Sequence, residues 1–164
     1  MSDDATHRPE TPAPGESTTA PALYVERTGP IAWTGHNGRG AEVLIGKEGA
    51  PGVFSPGELL AIAVAGCTGM SAEGRITSEL GDGVAMTVGV ERVPEPFENR
   101  YARFVVELVV SGPEVEGQDA SRRTRMLTTA QAGIAAHCTV SRTLEAGAPA
   151  AATATAVTVT AELP

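Results

Sequence analysis

The stretch SPGELLAIAVAGCTGM, from Ser55 to Met70, decides how this chain is read. It opens with the grammar of a helix start. Ser55 is an N-cap candidate, Pro56 takes the first helical position where its missing N–H costs nothing, and Glu58 completes an S-x-x-E capping box. From Leu59 to Cys67 every residue is apolar or glycine, so the helix is hydrophobic on all sides and calls for cover all round. The pattern predicts that it runs to about Leu80 and stops at Gly81-Asp82-Gly83. Gly66, Gly69 and Gly74 each weaken its intrinsic propensity by roughly 1 kcal/mol relative to alanine, so packing has to hold it. The same small residues leave room for a crossing helix near Cys67.

Outward from this helix, the flanks are predominantly strand-like. Residues 1 to 20 are rich in Pro, Thr, Ser, Asp and Glu without apolar periodicity and are expected to be a disordered tail. Residues 21–164 are expected to form a single domain. Leu23 to Arg27 and Ile31 to Thr34 are short strand candidates parted by Gly29-Pro30. Asn37-Gly38 marks a hairpin turn into a strand over Ala41 to Ile45. The run GHNGRG precedes a strand rather than a helix, which argues against a phosphate-binding loop.

Beyond the helix, Val84 to Glu91 and Phe104 to Val110 have the pattern of a long hairpin. Pro94 and Pro96 place the connection outside the sheet. SGPEVEGQ reads as a polar turn, and a second helix starts near Asp119 or Ser121. Its apolar face carries Met126, Leu127, Ala130, Ile134 and Ala135, with Arg122, Arg123 and Arg125 toward solvent. A short helix follows from Thr139 to Gly147, and Ala154 to Ala161 alternates as a half-buried strand. Strands interrupted by helices, with hairpin connections and no internal repeat, give an α+β class with antiparallel sheet.

The net charge of -8 argues against nucleic acid or anionic lipid as partner. The start of the chain lacks the basic and apolar regions of a signal peptide, and the longest apolar run is shorter than the ~20 residues of a membrane span. A cytoplasmic protein is therefore expected. In that reducing compartment the two cysteines, Cys67 and Cys138, are either free fillers or a redox couple. Their separation fits neither a CxxC motif nor a zinc knuckle, and three scattered histidines make no metal cluster.

To react, Cys67 needs a cation brought to it through space, because it lies three turns beyond the helix start. The candidates are Arg27, Arg39, His36 and Arg142. Cys138 sits where a short helix begins, beside His137 and four residues before Arg142, so local chemistry makes it the more acidic thiol. Its bland alternative is a core residue at a helix junction. Glu58 is explained by the capping box, and it can also orient an activating arginine.

SPGELLAIAVAGCTGM resembles the first-cysteine helix of the OsmC/Ohr family, the osmotically inducible and organic hydroperoxide resistance proteins. HCTVSRTLEAGA resembles that family's second-cysteine motif, and RTGPIAWTGHNGRGAEVLIG its N-terminal strands, so the resemblance spans about residues 22 to 162. It implies antiparallel sheets wrapped around a long central helix in an intertwined homodimer. It also implies a cysteine-based peroxidase without cofactor or metal, reducing organic hydroperoxides at the expense of a dithiol, lipoyl groups in some members. Carried over, Cys67 is peroxidatic and Cys138 resolving, which reverses the order of acidity expected from local chemistry. Ohr-type members have a glutamate where this chain has Gly57, and Glu58 matches other OsmC-like groups. The family's N-terminal arginine falls at His36, which leaves Arg39 as the substitute, so the expected catalytic set is Cys67, Cys138, Glu58 and Arg39. A relative that binds a small apolar ligand or senses oxidation without turnover is the rival expectation, and a cysteine hydrolase using His137 a weaker one.

Overall fold

The structure is a computed structural model that describes residues 22–147, in two compact units meeting in sequence at Ser55 and Pro56. The expected tail over residues 1–20 and the expected strand over 154–161 lie outside the described residues.

The first unit is a three-stranded antiparallel sheet in the order β1 (Leu23–Gly29), β2 (Ala32–Asn37), β3 (Glu42–Ile45). Asn37 makes the expected turn: its Oδ1 accepts the N–H of Arg39 at 2.9 Å and of Ala41 at 3.0 Å, replacing backbone partners that the reversal leaves open. Register places Val25, Gly35 and Val43 in one row and Arg27, Trp33 and Ile45 in the next, which gathers the apolar residues on one face. A Cβ at Gly35 would stand 2.9 Å from Val43 Cγ1, so the glycine lets its neighbours' side chains close over the strand. Phe54 returns alongside β3, its N–H donating to the Leu44 carbonyl at 2.9 Å.

The second unit is built on α1 (Pro56–Leu80), 25 residues long and ending at Gly81, whose φ of +88° favours glycine and whose N–H donates to the Thr77 carbonyl. Then come the hairpin strands β4 (Ala85–Pro94) and β5 (Tyr101–Ser111). A one-turn helix α2 (Pro113–Glu116), α3 (Ala120–His137) and α4 (Thr139–Glu145) complete the described order. Two sequence expectations are corrected here. Residues within SGPEVEGQ form α2 rather than a plain turn, and β4 runs on through Pro94, which pairs with Tyr101 at a register shift where a missing N–H is tolerated.

The hairpin alternates as its sequence requires: Met86, Val88 and Val90 on β4 turn inward with Val106, Leu108 and Val110 on β5. The core gathers Ala72, Ile76 and Leu80 of α1, Val84, and Met126 and Ala130 of α3, with Leu108, Val110 and Ile134 packed against them. A helix does cross α1, but the close approach belongs to Gly133 of α3, where a Cβ would stand 3.2 Å from the Ser71 carbonyl oxygen. Gly66 and Gly74 face open space, while Gly69 lies under Val88.

Among the described residues α1 is covered on one face: Ala61, Val64, Ala65, Thr68, Ala72, Ile76 and Leu80 are buried, whereas Ile62 and Met70 are 46% and 78% exposed. By length and composition α1 would also pass for a membrane span. The interdigitation of its buried face with β4 and α3 accounts for its apolarity as a core helix.

Asp119 caps α3, its Oδ1 accepting the Arg122 N–H at 2.8 Å. That bond holds the carboxyl below its ordinary range. A depressed carboxylate pKa contributes stability above the unfolded value, about 4, which is lost as pH falls through the lower folded value. Asp119→Ala is therefore expected to lower the melting temperature at neutral pH, and the difference from wild type should shrink as the pH of the melts is taken below that window.

Candidate active site

Cys138 occupies the joint between α3 and α4, as C-cap of one and N-cap of the other. Its extended backbone, φ -69° and ψ 93°, breaks the helical run, while its N–H still donates to the Ile134 carbonyl at 2.9 Å. The side chain is fully buried, and its Sγ lies 3.1 Å from Ser141 Oγ. Across from it stands α1, whose half-buried Cys67 and buried Thr68 lie near the Cys138 sulfur. The two thiols, 71 positions apart in sequence (138 minus 67), are thus brought together, and both are free.

Burial is the largest single influence on Cys138 and pushes its pKa up. Hydrogen bonds from the Ser141 hydroxyl and backbone N–H, and then from Cys67 and Thr68, outweigh it, so the thiol ends below its ordinary value. Arg142, four residues on, donates its Nη1 to the Ala136 carbonyl at 3.1 Å and closes the end of α3.

Beside the pair opens a cavity of about 850 Å³ between β5, α1, α3 and α4. Phe104, Val106, Leu127, Ile134 and Leu144 give it apolar walls, and Thr68 and Ser141, both partners of Cys138, lie on its lining.

Glu58 lies in the first turn of α1, nine residues before Cys67 and so roughly 14 Å away along the helix axis. At the neighbouring Gly57 a Cβ would overlap the Tyr101 hydroxyl and stand 3.2 Å from Arg92 Nη1. That nitrogen donates to Tyr101 Oη at 3.1 Å, and the guanidinium lies 5.6 Å from the centre of the tyrosine ring. A guanidinium and a phenol thus lie over Gly57.

Arg39 belongs to the first unit, at the tip of the β2–β3 turn, with its side chain exposed. His36, where the family's arginine would fall, is engaged on its own sheet. It stacks on Tyr24 at 4.9 Å between ring centroids; Glu42 stands 3.4 Å from its Nδ1 and Glu26 3.5 Å from its Nε2, the latter without hydrogen-bond geometry.

Two thiols in reach of one another, one on a long apolar helix and the other at a helix joint, reproduce the arrangement expected from the sequence motifs. The family described as OsmC-like protein matches residues 48–153. The chain belongs to the OsmC-like family. An uncharacterized protein of Mycobacterium tuberculosis is 36% identical to this OsmC-like chain over 125 residues, covering 76% of this chain and 89% of that protein, and one of Mycobacterium bovis matches equally. Among solved structures, one from structural genomics has a TM-score of 0.60 at 18% identity, covering 76% of this chain and 88% of that one. A hypothetical protein from Aquifex aeolicus has a TM-score of 0.54 at 13% identity, covering 76% and 86%. At such identities these two likenesses speak for the fold alone.

Four residues of the site escaped the sequence reading. Thr68 and Ser141 carried a signal in adjacency, one beside Cys67 and one three residues after Cys138 at a helix start. Arg92 carried one in alternation, since it continues the inward series Met86, Val88, Val90 of β4. Tyr101 depends on the register of the hairpin, which the sequence leaves open.

Proposed function

We propose that this OsmC-like protein is a thiol-dependent peroxidase that reduces organic hydroperoxides, with Cys67 peroxidatic and Cys138 resolving. The observation that carries the reading is the nearness of the two free thiols. Cys67 thiolate attacks the terminal peroxide oxygen, an S–O bond forms and the O–O bond breaks, the transferred oxygen keeping its proton as Cys67–SOH while the alkoxide leaves and takes a proton from water to become the alcohol. Cys138 thiolate then attacks the sulfenic sulfur, forming the disulfide and expelling hydroxide, which is protonated to water. A dithiol reductant of the lipoyl type returns the two electrons. The thiols and the dithiol supply all the electrons, so the cycle needs no metal or prosthetic group, and a reducing cytoplasm suits it.

Arg39 is the proposed activator of Cys67, with Glu58 orienting it. The engagement of His36 with Glu26, Glu42 and Tyr24 favours the exposed Arg39 over the histidine. Homodimerisation is part of the same reading, supported by two uncovered apolar surfaces: the Ile62 and Met70 stripe of α1, and the sheet face bearing Val25 and Trp33.

One equivalent of cumene hydroperoxide added to the reduced protein should remove two hydrogens from the intact mass, with the new bond mapping to Cys67 and Cys138. Sedimentation should give twice the chain mass. An unchanged mass, with both thiols still titratable, would instead favour the non-catalytic binder, for which the apolar cavity beside the pair is the supporting observation.

A further inference from the structure

The two sulfurs differ in access. Cys67 is half-buried, whereas Cys138 is fully buried at the α3–α4 joint. An external dithiol meeting the disulfide therefore finds the Cys67 sulfur, and the sulfur that must leave is Cys138. Departure of a thiolate into a buried pocket needs a donor already in place, because an unsolvated sulfur anion is a poor leaving group. The Nη1 of Arg142 is taken by the Ala136 carbonyl. Ser141 Oγ lies 3.1 Å from the sulfur, in the first turn of α4 and on the wall of the cavity, with Thr68 nearby on α1.

We propose that Ser141 is a positioning residue of the thiol pair, whose hydroxyl holds Cys138 so that this sulfur both closes onto Cys67 and leaves when the disulfide is reopened. The proposal rests on the peroxidase reading. In closure, the Cys138 thiolate accepts the Ser141 hydroxyl proton as a hydrogen bond, attacks Cys67–SOH, and the S–O bond breaks as S–S forms, with hydroxide leaving as water. In reopening, a reductant thiolate attacks the Cys67 sulfur, S–S breaks, and Cys138 departs as thiolate onto Ser141. The second reductant thiolate then attacks the mixed disulfide at the reductant's own sulfur and expels the Cys67 thiolate. The reductant is released as a cyclic disulfide, having given up two electrons. The direction of the Cys138 titration agrees with this arrangement.

Ser141→Ala is the test, with Ser141→Thr, which keeps a hydroxyl, as the rescue and circular dichroism as the check that both fold. After one equivalent of cumene hydroperoxide, disulfide closure in the alanine variant should be about tenfold slower than in wild type, the loss of one hydrogen bond to a charged group. A sulfenic-acid trap should capture correspondingly more Cys67–SOH, and threonine should restore most of the rate. In the reduced Cys67→Ser background, thiolate absorbance near 240 nm should rise at higher pH once Ser141 is lost. A merely structural role would leave that titration where it was. Closure within twofold of wild type together with an unmoved thiolate titration would overturn the proposal. If wild-type Cys67 never forms a sulfenic acid, the peroxidase reading fails instead, and the absorbance titration, which uses no peroxide, still decides whether Ser141 holds Cys138. Should the alanine variant not fold, Thr68→Val, removing the other hydroxyl, must raise the titration in the same direction or the hydroxyl cradle is rejected.

Discussion

Cys67→Ser protein should consume organic hydroperoxide no faster than the uncatalysed background, a loss of about a thousandfold or more in turnover. The serine hydroxyl occupies nearly the same space on α1, so the packing of Ala61, Val64, Ala65 and Thr68 around it persists, but an alkoxide is inaccessible at neutral pH and no S–O bond can form. The assay is steady-state loss of cumene hydroperoxide with a dithiol reductant, and undiminished turnover in the variant would sink the assignment. Cys138→Ser should behave differently. Its Cys67 remains able to attack once, so one equivalent of peroxide should vanish in a burst while turnover with the dithiol collapses. The comparison separates the first sulfur from the second, which a double variant would not.

The largest expected effect on stability lies at Ile76. It is fully buried in the cluster where α1 meets α3, among Ala72, Leu80, Met126 and Ala130. Ile76→Ala removes three heavy atoms from a site bounded by two helices and the hairpin, which cannot all collapse inward, and should cost about 3 kcal/mol. Denaturant unfolding should show a lower midpoint with an unchanged slope, meaning that stability and not compactness has changed. Ile76→Val should cost about 1 kcal/mol by the same reasoning. A cost for the alanine variant below that of the valine variant would show that the cluster is not the core of the second unit.

Much of this was legible because the signals were local. The S-P-x-E start and Gly81 bracket α1 to the residue, and Asn37-Gly38 fixes the β2–β3 reversal. The change from Cys138 to Thr139 locates the helix joint. What stayed hidden depends on separations that periodicity does not carry. A single turn such as α2 is too short to repeat a pattern, and the pairing of Pro94 with Tyr101 emerges only from the register of the whole hairpin. That register sets the ends of the Arg92 and Tyr101 side chains over Gly57, where a larger residue would have to displace them. The apolar circumference of α1 was legible too, and among the described residues only one side of it is covered.

The complete burial of Cys138 has a consequence for how such a protein would wear out. Oxidant that enters from solvent meets Cys67 alone, so the irreversible steps to sulfinic and sulfonic acid fall on that sulfur. Its only defence is speed. In the proposed cycle, each turnover would be a race between the sheltered partner closing the bond and a second peroxide arriving first. Lifetime in oxidising conditions is then set less by how fast Cys67 reacts than by how promptly its neighbour covers it.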